Sequence, residues 1–222
     1  RNDRASYPGI GARTPERHRA GFQDWRGFEN TNAHFRGYYY CDADPEPQRL
    51  DGYETDALTD LAIEYLDSYA MPEPLFLVLS VTPPHFPMEV EARWNRWDPA
   101  GLRVRPNFDD GIPLHREWLG LYYAMIENLD WNVGRILDTV ARSTRFRDAL
   151  IVYVSDHGEF LGSHGRSCGK EYPHEESVRI PAIFNAPDIV SAVGSSDGLF
   201  SLVDLLPTTL GLCGLRVPEY CQ

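Results

Sequence analysis

Two short, uninterrupted apolar runs limit the possible folds of this chain more than any other feature. Leu75 to Ser80, continuing into Val81, and Ala149 to Ser155 contain no charged residue and do not alternate apolar with polar. Such runs read as strands buried on both faces, the kind found in a sheet covered by helices. Each run follows an amphipathic helical stretch. Before the first, Leu58, Leu61, Ala62, Tyr65, Leu66 and Tyr69 recur at spacings of three and four. Asp51 and Glu54 fit a capping box at its start, and Pro72 bars its continuation. Before the second, Arg116 to Ala141 carries Leu119, Tyr122, Tyr123, Ile126, Leu129, Val133, Ile136, Leu137 and Val140 along one helical stripe. Helix leading into buried strand, twice over, predicts an α/β domain.

The remaining segments fit around that body. Ile180 to Phe184 reads as a third strand, placed at an edge by Pro181. Leu199 to Leu212 reads as a helix with Asp204 and Pro207 near its start. Residues 82 to 115 hold six prolines and read as loop. Residues 1 to 50 show turns at Tyr7-Pro8-Gly9 and Asp44-Pro45-Glu46-Pro47 and aromatic clusters such as Tyr38-Tyr39-Tyr40, with no sustained period. They are expected to be irregular, lying across other structure or lacking their partners. The organisation expected is one domain over 1–222, irregular over 1–50 and α/β over 51–222. A chain of 222 residues is long enough to bury a sizeable core.

Charge and cysteine usage remove several classes of function. With 33 acidic against 21 basic residues the formal net charge is -12, the opposite of a nucleic-acid footprint. The apolar runs fall far short of the ~20 residues that a bilayer demands, so no membrane span is expected. Arg1 to Ala5 has no apolar stretch behind its basic residues and is not a signal peptide, which leaves location open. Cys41, Cys168, Cys213 and Cys221 show no C-x-x-C spacing and read as isolated thiols, with a Cys213 to Cys221 bridge open to an oxidising compartment. Nothing in the sequence sets an oligomeric state.

The chemistry gathers where the two apolar runs end, the edge at which α/β sheets build their sites. After the first comes Thr82-Pro-Pro-His85-Phe-Pro87, where flanking prolines restrict the backbone around His85. His85 is then either a group held at a fixed angle or an exposed loop histidine. After the second comes Ser155-Asp156-His157-Gly158-Glu159. A turn at Gly158 can aim the Asp156 carboxylate and the His157 imidazole at one point, as divalent metal ligands or as an ion-paired or capping couple. Further on, Gly162, Gly165 and Gly169 allow close backbone approach to a ligand. Lys170 follows in a chain poor in lysine, as a contact for an anion or as a solvated surface cation.

Taken together, Ser155-Asp-His-Gly-Glu-Phe-Leu-Gly-Ser-His-Gly165, Lys170 and Pro173-His-Glu-Glu-Ser-Val-Arg-Ile-Pro181 resemble the carboxyl half of the sulfatase catalytic domain, in the alkaline-phosphatase-like superfamily. Pro83-Pro-His85-Phe-Pro87, Asp51-Gly-Tyr-Glu-Thr-Asp56 and Leu202-Val-Asp-Leu-Leu-Pro-Thr208 join the resemblance, in the family's order and over nearly the whole chain. It implies a three-layer α/β/α sandwich with a largely parallel or mixed central sheet, incomplete at its N-terminal side, and a metal-dependent hydrolase of sulfate esters. In the family a formylglycine hydrate, made from Cys or Ser in Cys/Ser-x-Pro-x-Arg, attacks sulfur beside a divalent ion, usually Ca²⁺. By motif, Asp156 and His157 would hold the metal. His85 and Lys170 would contact the sulfate group as substrate-binding and catalytic residues, Lys170 neutralising charge and His85 donating to the leaving oxygen. Glu159, His164 and Arg179 would hold the loop.

Three family features have no counterpart here. No Cys or Ser begins Cys/Ser-x-Pro-x-Arg, the paired aspartates after the family's first buried strand are missing, and so is its Gly-Lys-Trp-His-Leu-Gly segment. Asp109-Asp110 imitates the aspartate pair, but too few residues separate Pro106 from Asp109 to form the preceding strand. The expectation is a piece of a sulfatase lacking the family's first third, inactive as it stands. Its substrate would be a sulfated small molecule or glycan, the aromatic-rich loops at 22–40 and 94–108 lining a sugar or aryl pocket or simply packing. A phosphonate or phosphate ester hydrolase of the same superfamily and a non-catalytic anion-binding module are the rival readings.

Overall fold

A computed structural model of the chain describes residues 13–28, 31–42, 44, 46–186, 189–190 and 194–221. The Tyr7-Pro8-Gly9 turn, Pro45 and the first five residues lie outside the described residues. The chain divides into two compact units, Arg1–Thr139 and Val140–Gln222.

The first unit begins with more regular structure than the sequence predicts. Three short strands, β1 (Arg26–Gly27), β2 (Tyr38–Cys41) and β3 (Gln48–Arg49), form an antiparallel sheet in that order. The tyrosine cluster is therefore a strand, and its register pairs Tyr39 with Gln48, whose side chain accepts the Tyr39 hydroxyl at 2.7 Å. Strands of two residues present no period to read, which is why this meander escapes sequence patterning. Tyr39 and Leu50 pack against Ala57 and Leu58 of α1 (Glu54–Ser68), with Phe28, Cys41, Leu61 and Val81 around them.

Helix α1 ends before Pro72 as predicted, but its start differs. Tyr53 is the N-cap and makes no side-chain cap bond, so Asp51 and Glu54 form no capping box. The Glu54 carboxylate turns away to His34 and to the Thr82 amide. Helix α2 (Pro113–Arg142) matches the long predicted helix, yet its buried stripe is rotated from the apolar one. His115, Leu119, Ala124, Met125, Asn128, Asn132 and Thr139 lie inside, while Ile126 and Leu137 are exposed. Burying Asn128 and Asn132 is possible because both amides donate to one oxygen of Asp56, each at 2.7 Å. Arg93 donates to the other oxygen of Asp56 at 2.6 Å.

The apolar run from Leu75 to Ser80 departs most from expectation. It joins no ladder among the described residues, and Phe76 and Val78 are 69% and 56% exposed. Among the described residues no strand or helix covers it, so the double burial that its composition prepares is not realised there.

In the second unit, β4 (Ile151–Val154) pairs antiparallel with β5 (Ala182–Asn185), Ile151 opposite Asn185 and Val154 opposite Ala182. The second and third predicted strands are thus present and adjacent, but β4 is half-buried throughout rather than covered on both faces. The described ladders are all antiparallel. Between the two strands the chain forms a loop and the single turn α3 (Glu175–Val178). Helix α4 (Leu202–Leu212) starts at a capping box between Ser201 and Asp204 and carries Pro207 inside, with no residue buried. All four cysteines are free thiols, Cys213 and Cys221 included. No helix among the described residues is long and apolar enough to cross a membrane.

Candidate functional site

The motif that follows β4 is held by hydrogen bonds between its side chains and its backbone and by one bond to α3. Ser155 Oγ donates to the His157 carbonyl at 2.7 Å, and Asp156 Oδ1 accepts the His157 amide at 3.0 Å. The Gly158 amide donates to the Ser177 carbonyl at 2.8 Å, which lays the motif against α3. Glycine is required here by contact: a Cβ at Gly158 would stand 2.0 Å from the Glu176 carbonyl oxygen.

Within this turn His157 Nδ1 lies 2.7 Å from the Gly158 carbonyl. A carbonyl only accepts, so Nδ1 carries the proton and the neutral ring presents its lone pair at Nε2. Lys170 Nζ donates to that nitrogen at 2.8 Å. Asp156 Oδ2 stands 3.6 Å from the same Nε2 and is largely in solvent, its side chain 83% exposed. The structure therefore brings Asp156, His157 and Lys170 together. Lys170, the only lysine of the chain, is anchored through its carbonyl, which accepts from Ser177 Oγ at 2.9 Å.

The loop between His157 and α3 is held much as its glycines and acids predict. Glu159 Oε1 accepts the amides of Phe160 and Gly169, and His164 Nε2 meets Glu176 Oε2 at 3.3 Å while its ring stacks on His174 at 4.1 Å. Gly162, Gly165 and Gly169 have φ of 91°, 68° and 129°, the left-handed range in which a Cβ is strained. Arg179 does not hold the loop; it is exposed and, among the described residues, reaches Glu175, one turn back, at 3.7 Å. Cys168 lies partly buried beside Glu159, and burial, aided by that carboxylate, pushes its thiol up to about 11.

In the first unit His85 sits in a turn closed by its amide, which donates to the Thr82 carbonyl at 3.0 Å. The Pro83–Pro84 and Phe86–Pro87 bonds are both cis. His85 Nδ1 is 2.7 Å from the Phe86 carbonyl and so carries a proton, and Asn32 Nδ2 stands 3.4 Å from the same nitrogen. The other ring nitrogen is then the one able to exchange a proton. Beneath the turn lie His34 and Glu54, both fully buried and bonded to it. Sequence reasoning missed them: their partners are 20 to 51 residues away, and Glu54 matches a local capping pattern that accounts for it without them.

Asp109 and Asp110 serve local structure. Asp109 Oδ1 accepts the Gly111 amide at 2.9 Å, and Asp110 pairs with Arg116, whose hydrogen bond holds the Asp110 carboxyl below its ordinary range.

Asp156 and His157 fit a divalent ion in two respects. The ring that would ligate through Nε2 donates its other N–H to a backbone carbonyl, the usual support of a ligating histidine. The 3.6 Å between Asp156 Oδ2 and His157 Nε2 is also close to the spacing of two neighbouring ligands about 2.4 Å from one ion. They are two donors only: no group of three or more His, Cys, Asp or Glu suited to a metal occurs among the described residues.

A histidine, a carboxylate and a lysine thus gather in the loop that follows β4. A sulfatase family model matches residues 4–215, and the chain belongs to the sulfatase family. An ulvan-active sulfatase of Formosa agariphila is 29% identical over 214 residues, 94% of this chain and 42% of that protein. Among solved structures, the Bacteroides fragilis sulfatase-type protein yidJ superposes with a TM-score of 0.86 at 30% identity, covering 94% of this chain and 48% of that one. A phosphonate monoester hydrolase of Silicibacter pomeroyi shares the fold at a TM-score of 0.62 and 24% identity, covering 82% of this chain and 43% of that one. The chain spans less than half the length of each. Its fold is the alkaline-phosphatase-like α/β fold of these neighbours.

Proposed function

We propose that this chain supplies the sulfate-binding and metal-binding side of a sulfate ester hydrolase. The observation that carries the reading is the Lys170 ammonium, 2.8 Å from His157 Nε2, the nitrogen that Asp156 Oδ2 approaches to 3.6 Å, in a chain of the sulfatase family. Asp156 and His157 would hold the divalent ion, Ca²⁺ by family resemblance, which when bound polarises the sulfate oxygens. Ligation through Nε2 would use the lone pair that Lys170 Nζ contacts here, leaving the ammonium to neutralise sulfate charge. By family resemblance His85 would donate a proton to the leaving oxygen as the alcohol departs. The nucleophile, a formylglycine hydrate in the family, has no source in these 222 residues, because none of their cysteines or serines begins Cys/Ser-x-Pro-x-Arg. The substrate is a sulfated small molecule or glycan, a reading supported by the ulvan-active relative.

Because Lys170 is the only lysine, an amine-acylating reagent followed by mass spectrometry reads it directly. Inorganic sulfate is expected to slow its acylation, and equal protection by phosphate or methylphosphonate would favour the phosphonate reading that the Silicibacter pomeroyi neighbour raises. Acylation indifferent to all three anions overturns the proposal. The chain alone is expected to hydrolyse no aryl sulfate and to bind Ca²⁺ far more weakly than micromolar, since two protein donors leave most of the about six to eight positions to water. In an active enzyme containing this chain, Lys170→Ala should cost roughly 100-fold or more in rate, as does removing an oxyanion donor.

A further inference from the structure

The buried pair His34 and Glu54 has no role in the chemistry described above, and its hydrogen bonds are unusual for a core. His34 and Glu54 are 0% and 1% exposed, and His34 Nδ1 lies 3.2 Å from Glu54 Oε2. The opposite ring nitrogen, Nε2, lies 3.0 Å from the His85 carbonyl. The second Glu54 oxygen, Oε1, accepts the Thr82 amide at 2.8 Å. The backbone closes the circle, since the Glu54 amide donates to the His34 carbonyl at 2.8 Å and the His85 amide to the Thr82 carbonyl at 3.0 Å. Both ends of the Thr82–His85 turn are therefore fastened to one side-chain couple that is itself excluded from water.

The proton count follows from the acceptors. The His85 carbonyl only accepts, so His34 Nε2 carries a proton. With Glu54 ionised, Nδ1 carries a second proton, and the ring is an imidazolium paired with Glu54. Burying two charges is costly unless each is paired and hydrogen-bonded, and here every polar atom of both side chains is engaged. An apolar pair would fill the same space without that cost. What the charged pair adds is direction: one fixed donor for the His85 carbonyl and one fixed acceptor for the Thr82 amide.

We infer that His34 and Glu54 are positioning residues, a buried clamp that sets the backbone of the Thr82–His85 turn and thereby the direction in which the His85 imidazole meets its anion. The inference rests on the reading of His85 as a sulfate contact. The clamp acts through the turn and touches no reacting atom.

The test compares Glu54→Ala with the conservative Glu54→Gln in the 222-residue chain, with His34→Gln as a second site. Glu54→Gln keeps an oxygen for the Thr82 amide and offers an N–H to His34 Nδ1, so it should preserve the turn, whereas Glu54→Ala removes both contacts. Two NMR readouts are taken on variants that retain the wild-type circular dichroism spectrum. Hydrogen exchange at the Thr82 amide should run about tenfold faster in Glu54→Ala, the effect of one lost hydrogen bond, and near the wild-type rate in Glu54→Gln. The shift of the His85 ring signals on titration with inorganic sulfate should be lost in Glu54→Ala, weakened in His34→Gln and kept in Glu54→Gln. If the wild-type His85 signals ignore sulfate, the sulfate reading fails, and exchange at Thr82 still decides the clamp. A folded Glu54→Ala with unchanged Thr82 exchange overturns the clamp. A His85 response to sulfate that survives in Glu54→Ala overturns its positioning role. Should Glu54→Ala not fold, His34→Gln carries the same two comparisons through the His85 carbonyl.

Discussion

Replacing Gly158 by alanine tests how the Asp156-His157 motif is held. The new Cβ would lie 2.0 Å from the Glu176 carbonyl oxygen, 3.0 Å from its carbon and 3.5 Å from Ser177 Cα. The first of these is more than an ångström inside ordinary contact, which begins near ~3.5 Å for carbon. The obstructing atoms are backbone, so no rotamer change relieves the overlap, and either the motif or α3 must withdraw. Withdrawal breaks the Gly158 amide bond to the Ser177 carbonyl, 2.8 Å long in the wild type. Overpacking of this kind costs about 1–3 kcal/mol and a lost hydrogen bond about 0.5–1.5 kcal/mol, giving roughly 2–4 kcal/mol in all. At a urea slope of about 2 kcal/mol/M, the middle of the usual range, the midpoint of the transition that unfolds β4 should fall by about 1–2 M. The same variant should disturb the His157–Lys170 hydrogen bond, because Ser177 also anchors Lys170 through its carbonyl. Denaturant unfolding followed by tyrosine fluorescence and His157 ring NMR are the two assays. An unchanged midpoint together with unchanged His157 signals would refute the argument, since the overlap would then have been relieved without cost.

Three further outcomes are expected. Cys168, raised to about 11 by burial and by Glu159, should hold a thiolate fraction of only about one in a thousand at pH 8; mass spectrometry should find it alkylated long after the exposed Cys213, and equal rates would contradict its burial. Burial alone would lower the His34 pKa, but the Glu54 hydrogen bond and the His85 carbonyl outweigh it and hold the group above its ordinary 6.5. The stability that His34 contributes should therefore be complete below pH 6.5 and be lost as pH rises through the higher folded-state pKa, a slope that Glu54→Gln should flatten in pH-dependent unfolding. Phe76, Leu77, Val78 and Leu79, with Val203 and Leu206 of α4, leave apolar surface uncovered, so size-exclusion chromatography should show concentration-dependent self-association; a monodisperse monomer at all concentrations would count against this.

Local pattern and tertiary context contributed differently to this protein. Both long helices, the strands β4 and β5, most of the loop from 82 to 115, which gives way to α2 at Pro113, and the Asp156-His157 turn were legible in the sequence, because each is written mainly by residues near one another in the chain. Helical period, proline stops and the left-handed glycines at 162, 165 and 169 act over a few residues, and the motif order alone carried the family resemblance that the family match bears out. The tertiary structure decided where burial falls. The apolar stripe of α2 gave way to Asn128 and Asn132 because Asp56, more than 70 residues earlier, offers both amides an acceptor. Glu54 left its capping role because His34 and the Thr82 amide bind it across 20 and 28 residues. The run from Leu75 to Ser80 has a strand's composition, but a strand also needs a neighbour to accept its hydrogen bonds and cover its faces. Side-chain identity prepares such burial, and only the presence of a partner in space completes it.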